Sequence, residues 1–217
     1  MTINNSITLS TIVPPRFVCK PSFKCGDNKV SKYLLECSLH TLPKSLRREF
    51  EHVFRCKYKE GVFHPDQPNI EGQEGVYNNV VDEENQDLEL LALPTNQHAQ
   101  KDLVAMGEDI EAEKDRLLNV FMDFASDVCR EINRRGYWAD YIDPCSGLPM
   151  LTPHCNKVYS EVDGMEVLLG YRSYNAGFCK ILYHPKWGSS VYPATVFCYA
   201  PRNIVREILE SLPTSIH

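Results

Sequence analysis

Asp140 and Asp143 flank Tyr141. At this spacing two carboxylates could divide general acid and general base work between them. The same residues have a plainer use, and it is the reading their types favour. Asp143 precedes Pro144 and would cap a turn, leaving Asp140 in solvent. His154-Cys155 puts an imidazole beside a thiol, the pairing of a base with a nucleophile, but adjacent loop residues usually point apart. Cys37-Ser38-Leu39-His40 has a metal-ligand spacing, yet on a strand the two side chains diverge, and a second pair to complete a zinc site is lacking. There is no Cys-x-x-Cys pair, and Gly147, Gly164, Gly170 and Gly177 are too far apart for a phosphate loop. A catalytic constellation is therefore not expected.

Composition narrows the class. The chain has 217 residues, 43% of them hydrophobic, enough for one domain with a core plus extensions. A formal charge of -6 and the absence of a Lys/Arg run argue against a nucleic-acid face. No run of about 18 apolar residues predicts a membrane span. Nine cysteines, odd in number and irregular in spacing, read as reduced thiols in a cytosolic or organellar compartment. Residues 1–26 are rich in Ser and Thr, with Arg16, Lys20 and Lys24 and no acid before Asp27. A cleaved transit peptide and a flexible tail over residues 1–29 both fit this composition.

The hydrophobic pattern predicts the elements that would hold these residues. Val30–Leu39 reads as a strand with Tyr33, Leu35, Cys37 and Leu39 on one face. Pro43 opens a helix carrying Leu46, Phe50, Val53 and Phe54. Residues 57–86, rich in acids with Pro, Gly and Asn between, read as a long polar, disordered loop. Asp87–Leu93 reads as a short strand. A helix from about Glu111 to Arg135 carries the stripe Leu117, Phe121, Phe124, Val128 and Ile132 and stops at Gly136. Further strands are predicted at Trp138–Ile142, Leu148–Leu151, Val167–Ser173, Phe178–Tyr183 and Tyr192–Tyr199. Pro201 opens a last helix with Ile204, Val205, Ile208, Leu209 and Leu212 inward. Few strands are separated by helices, so the fold expected over residues 30–215 is a single α+β domain with a largely antiparallel sheet flanked by helices.

Several runs together resemble the cblD class of cobalamin-trafficking proteins, also called methylmalonic aciduria and homocystinuria type D proteins. They are the Gly136-Tyr137-Trp138-Ala139-Asp140 segment after an acidic helix and the Ile142–Leu148 run with Cys145 at its variable position. Cys179-Lys180-Ile181 and His184-Pro185-Lys186-Trp187-Gly188 follow. Upstream, Glu36-Cys37, Leu42-Pro43, Leu46-Arg47 and Phe50-Glu51 are similar too. The resemblance implies a fold like nitroreductases and flavin reductases, with no flavin bound. It implies a non-enzymatic adaptor that binds a cblC-type processing protein, directing cobalamin toward methionine synthase and mitochondrial methylmalonyl-CoA mutase. Cobalamin would be shared with that partner and not held tightly alone. Partner contacts are expected near Trp138, Asp140, Trp187 and Gly188, since aromatics anchor interfaces; core packing is the alternative for both tryptophans.

In such relatives a Gly-Cys-Cys-Lys run supplies a cobalt-binding thiol from its first Cys. Here the run is Gly177-Phe178-Cys179-Lys180, so a phenylalanine that cannot bind metal stands at that position. Cys179 is the remaining candidate cobalt thiolate ligand; thiolate is soft and suits such a centre, and the Lys180 charge would favour thiolate. Strand alternation groups Cys179 with Ile181 and Tyr183, which reads as a core face, unless a bulge at Gly177 turns the thiol outward. An active flavin or nitroreductase-like enzyme is the alternative; it needs a basic cluster for flavin phosphate, for which only Arg134-Arg135 qualifies. A scaffold unrelated to cobalamin is the third reading.

Overall fold

A computed structural model describes residues 29–31, 35–59, 62–65, 87–177, 179–212 and 214–216. The tail over residues 1–28, residues 66–86, Tyr33 and Phe178 lie outside them.

Two long strands form the frame. β6 (Leu88–His98) and β10 (Val191–Pro201) pair antiparallel from Leu88↔Pro201 to His98↔Val191. β7 (Trp138–Tyr141) extends the sheet beside β10. On the other side β2 (Glu36–Cys37) and β3 (His40–Thr41) share the free edge of β6. The sheet is buried on both faces, so its strands read as nearly continuous apolar runs. Leu91, Leu93, Val196 and Cys198 face one layer; Leu90, Ala92 and Phe197 face the other.

The first layer is α2 (Glu108–Arg134) with α4 (Arg202–Ser211). Phe121, Phe124, Val128 and Ile132 recur at helical spacing, and each is fully buried. Burying each such side chain is worth about 1.5–3 kcal/mol before entropy is counted. Glu108, Asp109 and Glu111 occupy the first turn of α2, where the helix dipole favours acids. The second layer holds α1 (Lys44–Val53) and α3 (Glu161–Leu169), with the hairpin of β4 (Cys56–Lys59) and β5 (Val62–Pro65). β8 (Arg172–Ala176) and β9 (Cys179–Tyr183) form a further hairpin, and β1 (Lys29–Ser31) pairs with β11 (Thr214–Ile216). The α+β antiparallel class is as expected. No helix among the described residues is long and apolar enough to cross a membrane.

Several boundaries differ from expectation, each for a physical reason. The strand expected over Val30–Leu39 is broken at Ser38-Leu39, opposite Leu93 and Pro94. Pro94 has no N–H to donate, so the edge strand splits there while β6 runs on through the proline to His98. Residues 56–59 and 62–65, assigned largely to the polar loop, pair as β4 and β5 because Phe63 has a buried aromatic site to fill. Leu148–Leu151 is turn, joined to the sheet only by the Ile142↔Pro149 bridge. Of Val167–Ser173 only Arg172 and Ser173 are strand; Val167–Leu169 ends α3, which Ser160 caps by accepting from Asp163 N and Gly170 terminates at φ 66°.

Candidate functional site

The β8–β9 hairpin has two unlike faces. Its inner face carries Ser173, Lys180 and Leu182. Leu182 is buried with Met165 of α3 and Val191 of β10. Lys180 Nζ lies 2.5 Å from both Asp163 and Glu166, and Ser173 Oγ donates to Glu166 at 2.5 Å. Those contacts raise the Lys180 pKa and lower those of the two carboxyls. They pin the hairpin to α3. The Lys180 charge is thereby matched by acids on the face away from Cys179, and does not serve its thiol.

The outer face is open. Cys179 pairs with Ala176, Ile181 with Tyr174, and Tyr183 with Arg172. Cys179 and Ala176 are exposed. Tyr174 and Tyr183 are 43% and 50% exposed, their rings 6.5 Å apart at 63°. The core assignment of Cys179 is therefore corrected. Alternation groups Cys179, Ile181 and Tyr183 as expected, but α3 claims the opposite face, leaving the thiol in solvent. No bulge is involved: Ala176↔Cys179 pair in regular register, and Gly177 takes a turn conformation at φ 62°. The outer face thus presents a soft, exposed sulfur beside two exposed aromatic rings.

β9 runs directly into the His184–Gly188 turn. His184 Nδ1 accepts from Lys186 N and Trp187 N at 3.2 Å each, so Nε2 carries the proton and meets Glu36 at 3.3 Å. The Trp187 ring stacks between His184 at 4.0 Å and His98 at 5.0 Å. Gly188 sits at φ 61°, where a Cβ would lie 3.5 Å from the Tyr183 ring. Cys179, Trp187 and Gly188 thus belong to one continuous unit.

Trp138 and Asp140 do not join it. Trp138 lies opposite Tyr199, which pairs with Leu90, whereas Trp187 stacks on His98. Eight residues of β6 separate those positions, about 26 Å at a strand's rise of ~3.3 Å per residue. Trp138 packs edge-on against Phe50 at 5.8 Å and Phe54 at 5.3 Å, with Phe63 at 4.6 Å. Asp140 is fully buried, which corrects both its solvated reading and its place in a partner surface. Its carboxylate accepts from Tyr141 N at 2.7 Å, Leu151 N at 2.9 Å and Thr152 N at 2.7 Å, while burial raises its pKa. Asp143 caps its turn as read, accepting from Cys145 N and Ser146.

The remaining candidates are structural. Cys37 is buried, and His40 bonds Ser38 Oγ at 2.7 Å. Cys155 is half-buried with its pKa raised chiefly by desolvation, unsuited to a nucleophile. Arg134 and Arg135 pair with Glu131 and Glu207 at the end of α2. No group of three or more His, Cys, Asp or Glu among the described residues could hold a metal ion.

Sequence reasoning passed over Glu161, whose carboxylate turns inward and accepts from Thr195 N at 3.1 Å and Thr195 Oγ1 at 2.6 Å. Burial, outweighing those bonds, pushes its pKa up to about 8. The folded-state value lies above the unfolded one, so the neutral form favours folding at low pH, and this contribution is lost as pH rises from about 4.5 to 8. Gln at this position keeps both bonds without ionising. Urea unfolding should therefore show Glu161→Gln gaining on the wild type steadily between pH 5 and 8; a constant difference would contradict the assignment.

With this geometry described, the chain can be compared with known proteins. A family described as "Methylmalonic aciduria and homocystinuria type D protein" matches residues 82–211. A relative from Rattus norvegicus named "Cobalamin trafficking protein CblD" is 30% identical over 166 residues, covering 76% of this chain and 47% of the relative. The relative of the same name from Homo sapiens shows the same identity and coverage, and that from Gallus gallus is 28% identical. The chain thus spans about half the length of these relatives.

Proposed function

The chain belongs to the methylmalonic aciduria and homocystinuria type D protein family, and from that membership we propose that it is a non-enzymatic adaptor in cobalamin trafficking. In this reading it binds a cblC-type processing protein and directs the cofactor toward methionine synthase and methylmalonyl-CoA mutase, working in the cytoplasm, the mitochondrion or both. Cobalamin is its cargo, shared with the partner, and the frame is nitroreductase-like without flavin.

The observation that carries the proposal is the open β8–β9 face. Cys179 is an exposed thiol on an ordered hairpin, with Tyr174 and Tyr183 beside it. Were cobalamin bound there, the Cys179 thiolate would be the residue to hold its cobalt, a centre suited to soft sulfur. The chain's own contribution is placement: Lys180 fastens the hairpin to Asp163 and Glu166, and the His184 turn fixes its far end. The partner surface in this reading is the Tyr174, Tyr183, Trp187 and Gly188 unit, with Trp138 reserved for the core. Gel filtration at micromolar protein, with cobalamin present, is expected to show co-elution with a cblC-type protein. Separate elution under those conditions would overturn the adaptor reading.

A further inference from the structure

We propose that the cleft between α1 and the loop at Lys157-Val158 binds the phosphate group of a small phosphorylated molecule. The cleft, of about 380 Å3, is lined by Ser45, Arg48, Glu49 and His52 on one side and Lys157 and Val158 on the other. Residues three and four apart on a helix share a face, so the α1 side is a single stripe. Small-molecule sites begin at about this volume.

The cleft gathers cationic side chains in a chain of formal charge -6. Lys101, Lys114, Arg116, Arg130, Arg134, Arg135, Lys180 and Arg202 each face a carboxylate. Arg48, His52 and Lys157 have no such partner among the described residues. The one acid lining the cleft, Glu49, accepts from Ser160 N at 3.2 Å. Arg48, His52, Lys157 and the Ser45 hydroxyl therefore line one cleft whose single acid is engaged with the backbone of the facing loop.

The walls are built in advance. Glu49 ties α1 to the start of α3. Tyr159 N donates to Gly147 O at 2.8 Å, and Val158 packs so closely on Gly147 that a Cβ there would lie 2.4 Å from Val158 Cγ1. Arg55 Nη1 donates to His154 O at 3.1 Å, fastening the loop to the end of α1. A phosphate dianion suits this donor set because guanidinium and ammonium groups give it charge-assisted bonds, the former in a fork. An extended acidic peptide would instead need a longer cationic track, and Glu51 interrupts the one on α1. Val158, 64% exposed, offers an apolar rest for the organic body of the ligand.

Amide NMR of the full chain titrated with inorganic phosphate, adenosine monophosphate and a glutamate peptide at fixed ionic strength tests the proposal. Saturable shifts are expected at 45–53 and 157–158 with both phosphate probes. Arg48→Gln with Lys157→Gln should weaken binding at least tenfold, whereas Lys44→Gln should leave it unchanged. Absence of saturable shifts there with the wild type, shifts confined to other residues, or a glutamate peptide binding as tightly as the phosphates would overturn it.

Discussion

Phe50→Ala is expected to lower the unfolding free energy by about 3–5 kcal/mol, the cost of emptying a large, fully enclosed aromatic site. Phe50 is 1% exposed and lies at the centre of a ring cluster. Its centroid is 4.7 Å from Phe54, 5.4 Å from Phe197, 5.8 Å from Trp138 and 6.1 Å from Phe63. Those partners come from α1, β10, β7 and the β4–β5 hairpin, so they cannot all close on one void. The lost ring pairs, each worth about 0.5–1.5 kcal/mol beyond area, are part of that cost and place it toward the upper end. For a chain of this size the melting point should fall by roughly 10 °C. Denaturant unfolding measures the loss, and a redder Trp138 emission should accompany it. A loss below about 1 kcal/mol would mean that the cluster repacks and does not anchor the second layer.

Asp140→Ala should cost about 2–5 kcal/mol, since it empties a fully buried site and removes the charged acceptor of Leu151 N and Thr152 N, each such bond being worth about 1.5–3 kcal/mol. Part of the wild-type gain is offset by burying the carboxylate, the same burial that raises its pKa. Asp140→Asn should fall between the two, because an amide retains one accepting oxygen but presents its NH2 to a second donor. Hydrogen exchange at Leu151 and Thr152 should accelerate in the alanine variant. Unchanged exchange at both amides would show that other groups hold this loop.

How far the sequence reveals the molecule depends on whether a signal is local. α2 was legible because its stripe repeats at helical period and acids mark its start. α1 and α4 were legible because Pro43 and Pro201 start them. α3 was obscured by Val162, Val167 and a central Gly164, though Ser160-x-x-Asp163 and Gly170 mark both its ends. The candidate site was legible in its periodicity and illegible in its sign. Alternation groups Cys179 with Ile181 and Tyr183, but only the position of α3, fixed by Lys180 with Asp163 and Glu166, decides which face is covered. Asp140 was misplaced for a related reason. A carboxylate reads as solvated until the N–H groups it must satisfy, eleven and twelve residues away, are brought to it.

Visible spectroscopy of the full chain mixed with a cblC-type protein and cobalamin tests most directly the claim that the open hairpin face meets the cofactor. The expected result is a thiolate–cobalt band that disappears in Cys179→Ser while co-elution with the partner persists. A band that survives Cys179→Ser and is lost instead when Cys145, the other exposed thiol among the described residues, is replaced by Ser would contradict the assignment.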